Sequence, residues 1–190
     1  MKLRSLGTMR ILVAVLLGLV AVGVALASDG HDPKMSAQTA GPTEVAAATR
    51  ATAAFQDVEA AEAAGYASTI DSLGCFENRE VGGMGLHYLN ESLMDDQVDV
   101  AAPEALVYEL AADGEIVGLV ALEYIVPIEA WTDTAPPSLF GLDFHQHSVL
   151  PLWILHTWFW KENPLGAFTD YNPTVRMCPD GSPVFGVDLP

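Results

Sequence analysis

Basic residues are scarce in this chain. Lys and Arg number 8 against 25 Asp and Glu over 190 residues, for a net charge of −17. Nucleic acids and anionic lipid surfaces are bound through cationic patches, so this balance argues against both as partners. Cysteine is nearly absent as well. Cys75 and Cys178 are the only two, and they form no CxxC pair. The motifs that most economically announce an activity are missing too. There is no HExxH, EF-hand loop or zinc-finger pair, and no GxSxG elbow. The glycines of "GGMG" (82–85) are followed by neither the lysine nor the helix signal of a phosphate loop. No internal repeat and no βαβ rhythm is visible, which sets aside solenoids and parallel α/β folds.

The N-terminus carries the strongest local signal. Lys2, Arg4 and Arg10 form a basic start, Ile11 to Leu26 is an apolar run with glycines, and Ala25-Leu26-Ala27 has the small-x-small pattern of a cleavage site. These features predict a secretory signal peptide over residues 1–27. The run is shorter than the roughly 20 residues that span a bilayer, although an uncleaved N-terminal anchor is the alternative. No cysteine follows the cleavage site to accept a lipid. Cleavage would remove three basic residues and no acid, leaving the chain more acidic still. The expected location is periplasmic or extracellular. In such an oxidising compartment an even cysteine count predicts one disulfide, Cys75–Cys178, with a metal or redox pair as the weaker reading.

Residues 28–41 are small and polar and read as a flexible leader, and 42–190 as a single domain. His31, between Asp29 and Asp32, lies in that leader and reads as solvated. Residues 43–64 predict one helix, with Thr43 as cap and Gly65 as stop. Val45, Ala48, Thr52, Phe55 and Val58 form its apolar stripe, with Glu59 and Glu62 toward the other side. Beyond Tyr66 the period becomes that of strands. "GGMGLHYLN" leads into a strand, and 104–126 reads as a hairpin turning at Asp113-Gly114. "PPSLFG" (136–141) reads as a loop, and 148–160 as another strand. The fold class is therefore α+β, an N-terminal amphipathic helix packed on a curled antiparallel sheet or small barrel.

On that last strand Leu152, Ile154, His156, Trp158 and Trp160 would share one face, and Trp153, Leu155, Thr157 and Phe159 the other. Both faces are apolar, so most of the aromatic density is core. His156 is the exception. Glu123 is its counterpart in "VALEYIVP", expected to share a face with Val117, Leu119, Ala121 and Ile125. A buried carboxylate needs a partner, and histidine is the natural one. His87, Glu123, His147 and His156 are the candidate ligands of a divalent metal, with His145 beside them in "FHQH". The alternative is a Glu–His contact that orders the core, with the 145–147 histidines in an exposed loop. Asp143, His145 and Ser138 or Ser148 can be assembled into a nucleophilic triad only on paper. The Asn-Pro pairs at 163–164 and 172–173 read as turns that fold the tail back toward Cys75.

The blocks "GGMGLHYLN", "PEALVYE", "ALEYIVP", "PSLFG" and "LHTWFWKENPLGAFTDYNPTVRMC" resemble, in that order, a family of exported bacterial proteins to which no activity is attached. The resemblance covers Tyr66 to Cys178. It points to His87, Tyr88, Glu123, Tyr124, His156, Trp158, Asn163, Pro164, Asn172, Pro173 and Cys178, and implies export and a single domain. Three functions stay open on the residues: an exported binding protein for a small ligand or metal, a secreted enzyme using a His/Glu site, and a structural envelope protein.

Overall fold

The computed structural model describes residues 41–185; the predicted signal peptide and nearly all of the leader lie outside the described residues. The fold is α+β. Helix α1 (Pro42–Thr52) continues through a 3-10 turn (Ala53–Gln56) into α2 (Val58–Ala63). The strands follow as β1 (Ala67–Ser68), β2 (Cys75–Asn78), β3 (Gly82–Leu89), β4 (Ala105–Leu110), β5 (Ile116–Pro127), β6 (Ser138–Leu139), β7 (Leu142–Asp143), β8 (His145–Gln146) and β9 (Leu152–Thr157). Seven of them form one antiparallel sheet in the order β1-β3-β4-β5-β9-β8, with β2 also on β3; β6 and β7 pair separately.

Two expectations are corrected here. The helix does not stand at the N-terminus but opens inside the chain at Pro42, capped by Gly41 rather than Thr43. It is also broken, because Asp57 takes an extended conformation and accepts from the Glu59 amide, starting α2 afresh. Nor does the sheet close into a barrel. Its two edges are the two-residue β8 on one side and β1 with β2 on the other, and these do not pair.

The predicted stripe survives the break. Ala48 and Thr52 are buried, and Val45, Phe55 and Val58 pack on the sheet face that carries Leu86, Tyr88, Leu106, Tyr108, Leu110, Leu122 and Tyr124. Polar links tie the two layers: Tyr108 donates to the Phe55 carbonyl, Gln56 to Leu119 and Trp160 to Thr52. Gly65, at φ 98°, ends α2 in the left-handed cap expected of it.

The opposite face of the sheet is covered by the C-terminal tail, and this is what builds the site. Asn163 and Asn172 each accept an amide two residues on, from Leu165 and Thr174, so both Asn-Pro pairs form turns. The tail then crosses β3, where the Asn172 amide bonds the Gly83 carbonyl. A side chain at Gly83 would sit 2.2 Å from the Arg176 carbonyl oxygen, so only glycine admits this crossing. Buried Glu109 accepts from the Arg176 amide and pairs with Lys161 at 2.6 Å. Glu77 accepts from the Cys178 amide, and the Cys75–Cys178 disulfide locks the tail down.

Candidate metal centre

Strand register assembles the cluster. Glu123 on β5 lies directly opposite His156 on β9. His87 on β3 is in the row of Val107 and Ala121, one same-face step from Glu123. The face expected for Glu123 is corrected in part. A register shift after Val107 leaves Val120 as an extra residue, so Tyr108 faces Leu119 while Val107 faces Ala121. Leu119 therefore packs on the helix side, and Ala121 joins the tail side. The strand 148–160 is also shorter than expected. It ends at Thr157, after which the Trp158 amide bonds the Ala167 carbonyl and Trp160 turns to the helix face.

The cluster is buried and tight. The side chains of His87, Glu123 and His156 are 6 %, 7 % and 1 % exposed. Glu123 Oε2 is 3.2 Å from His87 Nε2, and its Oε1 is 3.5 Å from His156 Nε2. One potential ligand atom from each of the three lies within 4.8 Å of the others. His156 Nδ1 stands 3.5 Å from Asp170 Oδ1, which is in turn 3.3 Å from His145 Nε2. The 3.5 Å separations around His156 are close enough for charge interaction but do not make hydrogen bonds. Both His156 nitrogens and His87 Nδ1 are buried without a hydrogen-bond partner among the described residues.

The electrostatics follow from these contacts. Burial pushes the Glu123 carboxyl up, but His156 and His87 outweigh it and hold the group below its ordinary value. Burial pushes His156 down, and Glu123 and Asp170 outweigh it, so the ring is raised. Asp170 is only half-buried; burial pushes its carboxyl up, but His145 and His156 hold it well below the carboxylate range.

His147 is placed differently from the other predicted ligands. It lines the same cavity, but its Nδ1 accepts the Val149 and Leu150 amides at 3.0 and 2.9 Å. That fixes the neutral ring's proton on Nε2, which makes the side chain a donor rather than a ligand. Burial lowers its pKa and favours this neutral form. His145 belongs to the edge strand β8, not to a loop, and acts through Asp170. Asp170 itself was not singled out from the sequence. It sits in "FTDYNP", a stretch with every mark of a solvated turn, and only the tail's return brings it to His156. The paper triad gains no contact: His145 pairs with Asp170 rather than Asp143.

A cavity of about 200 Å³ adjoins the cluster. His87, Glu123, His145, His147, His156 and Asp170 supply its ionisable wall, beside Gln146, Ser148 and Tyr171, and Leu73, Phe76, Met84, Met94, Ile125 and Ile154 part of its apolar one. No protein-family model matches the chain, nor does any curated protein or solved structure.

Proposed function

We propose that this is an exported protein that binds a divalent transition metal through His87, Glu123 and His156, with a further coordination position open to the cavity. The observation that carries this reading is a pair of buried imidazoles gathered around one ionised carboxylate, with no hydrogen-bond partner among the described residues for His87 Nδ1 or for either nitrogen of His156, whose Nε2 faces Glu123. A Glu–His contact serving only to order the core would satisfy those atoms. Each buried polar group left unpaired costs about 1–3 kcal/mol, so an empty cluster is an expensive way to hold a sheet together. The spacing is within reach of a metal. Ligand bonds of about 2.0–2.1 Å in a tetrahedron place neighbouring ligand atoms roughly 3.3 Å apart. Here the two Glu123 oxygens stand 3.2 and 3.5 Å from one nitrogen of each histidine, and one atom from each of the three residues lies within 4.8 Å of the others, so binding would draw the ligands inward. Asp170 stands on the side of His156 where a carboxylate would accept a hydrogen bond from the Nδ1–H of a metal-bound ring, fixing its tautomer.

Two imidazoles and one carboxylate with an open position suit zinc or iron(II). The open position could equally hold an activated water, which is the enzymatic form of the same reading. Export is supported by the N-terminal segment and by the disulfide, which belongs to an oxidising compartment.

The test is elemental analysis of the exported, untagged protein beside the His87→Ala/His156→Ala double variant. About one equivalent of a transition metal in the parent and none in the variant is expected. A metal-free parent that also fails to take up zinc or iron(II) in titration would leave the cluster as an internal ion pair.

A further inference from the structure

The chemistry of the cavity wall goes one step beyond the metal. Resting on that reading, we propose that the cavity receives a small, uncharged, mainly apolar molecule that presents one donor atom to the open coordination position. Size is the first argument. A dry cavity of about 150 Å³ takes up benzene, and this one measures about 200 Å³. It therefore has room for one ring with a short substituent. Lining is the second. Leu73, Met84, Met94, Ile125, Leu152 and Ile154 contribute apolar surface and no charge, and small-molecule sites are concave, largely apolar and oriented by a few polar groups.

Charge is the third argument. A divalent ion is balanced by the carboxylates of Glu123 and Asp170, the two acids on the cavity wall. An anionic guest would add an uncompensated charge, inside a chain already at −17. The fourth is the fixed tautomer of His147. With Nδ1 occupied by two backbone amides, its Nε2–H is left as a donor on the cavity wall, alongside Gln146, Ser148 and Tyr171. It suits a guest with a neutral acceptor atom beside its metal-binding end.

The experiment uses the full exported chain loaded with Co²⁺, whose visible absorption reports ligand addition. The probes are imidazole, 4-methylimidazole and 4-phenylimidazole, plus 4-(imidazol-4-yl)benzoate, which has the same donor with a carboxylate at its far end. Burial of the added carbons predicts affinity rising at least about tenfold from imidazole to 4-phenylimidazole. The benzoate should fall back by about tenfold or more. Filling the apolar wall with Leu152→Trp, or independently Met94→Trp, should remove the gain from the phenyl ring while Co²⁺ and imidazole still bind. Both positions are only half-buried, and either variant that folds is sufficient. Co²⁺ uptake with affinity indifferent to the apolar body, or with the benzoate favoured, overturns this proposal and leaves the metal reading standing. Absence of Co²⁺ uptake overturns both.

Discussion

Glu123 is the residue on which the centre turns, because it alone touches both histidines. Glu123→Gln keeps the shape and one acceptor oxygen but removes the charge that faces His87 and His156. Metal content should drop from about one equivalent to near zero, read by elemental analysis on protein that still shows a cooperative unfolding transition. Asp170→Asn is predicted to be milder. It stands behind His156, and loss of such a supporting carboxylate weakens metal binding by about 10–100-fold rather than abolishing it. Competition with a chelator of known affinity measures the difference. Glu104 supplies a separate prediction. The residue is 3 % exposed, its carboxyl accepts the Ile125 amide, and burial raises its pKa from 4.5 to about 8. Between those values the folded protein holds a proton that the unfolded chain has released, so this group makes stability fall as pH rises. Glu104→Gln, which cannot ionise, should flatten that decline and gain on the parent toward pH 8, as urea midpoints across the window would show.

At the scale of elements, what was legible follows from periodicity, and what was not follows from single irregularities. The stripe from Val45 to Val58 and the turn at Asp113-Gly114 announce themselves because each repeats a pattern that only one geometry satisfies. The isolated ionisable groups Glu123 and His156 were visible for a related reason: nothing else in those runs is polar. The extra residue at Val120 leaves no such trace, since a bulge inserts one apolar residue among others and reverses the facing of the residues before it, as far as a second shift at Val117. Asp57 was equally silent, an ordinary acid inside a helical pattern that turns out to cap a second helix. The glycines of β3 are an intermediate case, because their number signals close approach without naming the partner. The structure names it, and a prediction follows. Gly83→Ala would place a methyl group against the Arg176 carbonyl, and forcing a carbon into such a contact costs about 1–3 kcal/mol. A loss of unfolding free energy of that size, read from urea unfolding curves, is expected. Gly114→Ala, in a turn with open space around it, has only its backbone strain to bear.

For the whole molecule, the tail is both a roof and a lock. It carries Asp170, Tyr171 and Phe185 to the cavity, and the disulfide that holds it spans 103 residues. A cross-link closing about 100 residues restricts the unfolded chain by roughly 4.7 kcal/mol in the chain-entropy account, a large share of the 5–15 kcal/mol that a domain commonly has. Its loss therefore has two consequences that can be measured apart. Cys75→Ala/Cys178→Ala should lower global stability by up to that amount. It should also weaken metal binding in the molecules that remain folded, because the tail is then held only by non-covalent contacts: the backbone bonds to Gly83 and to the residue-75 backbone, and the amides taken by Glu77 and Glu109. His87, Glu123 and His156 all stand on strands of the sheet, so the loss of affinity should match that of Asp170→Asn rather than that of Glu123→Gln. Adding Asp170→Asn to the cysteine variant should then weaken binding little further. Affinity unchanged in the cysteine variant, in protein destabilised as expected, would show that the remaining contacts hold the roof in place without the disulfide. Affinity abolished would show that the strand positions alone do not keep the three ligands together.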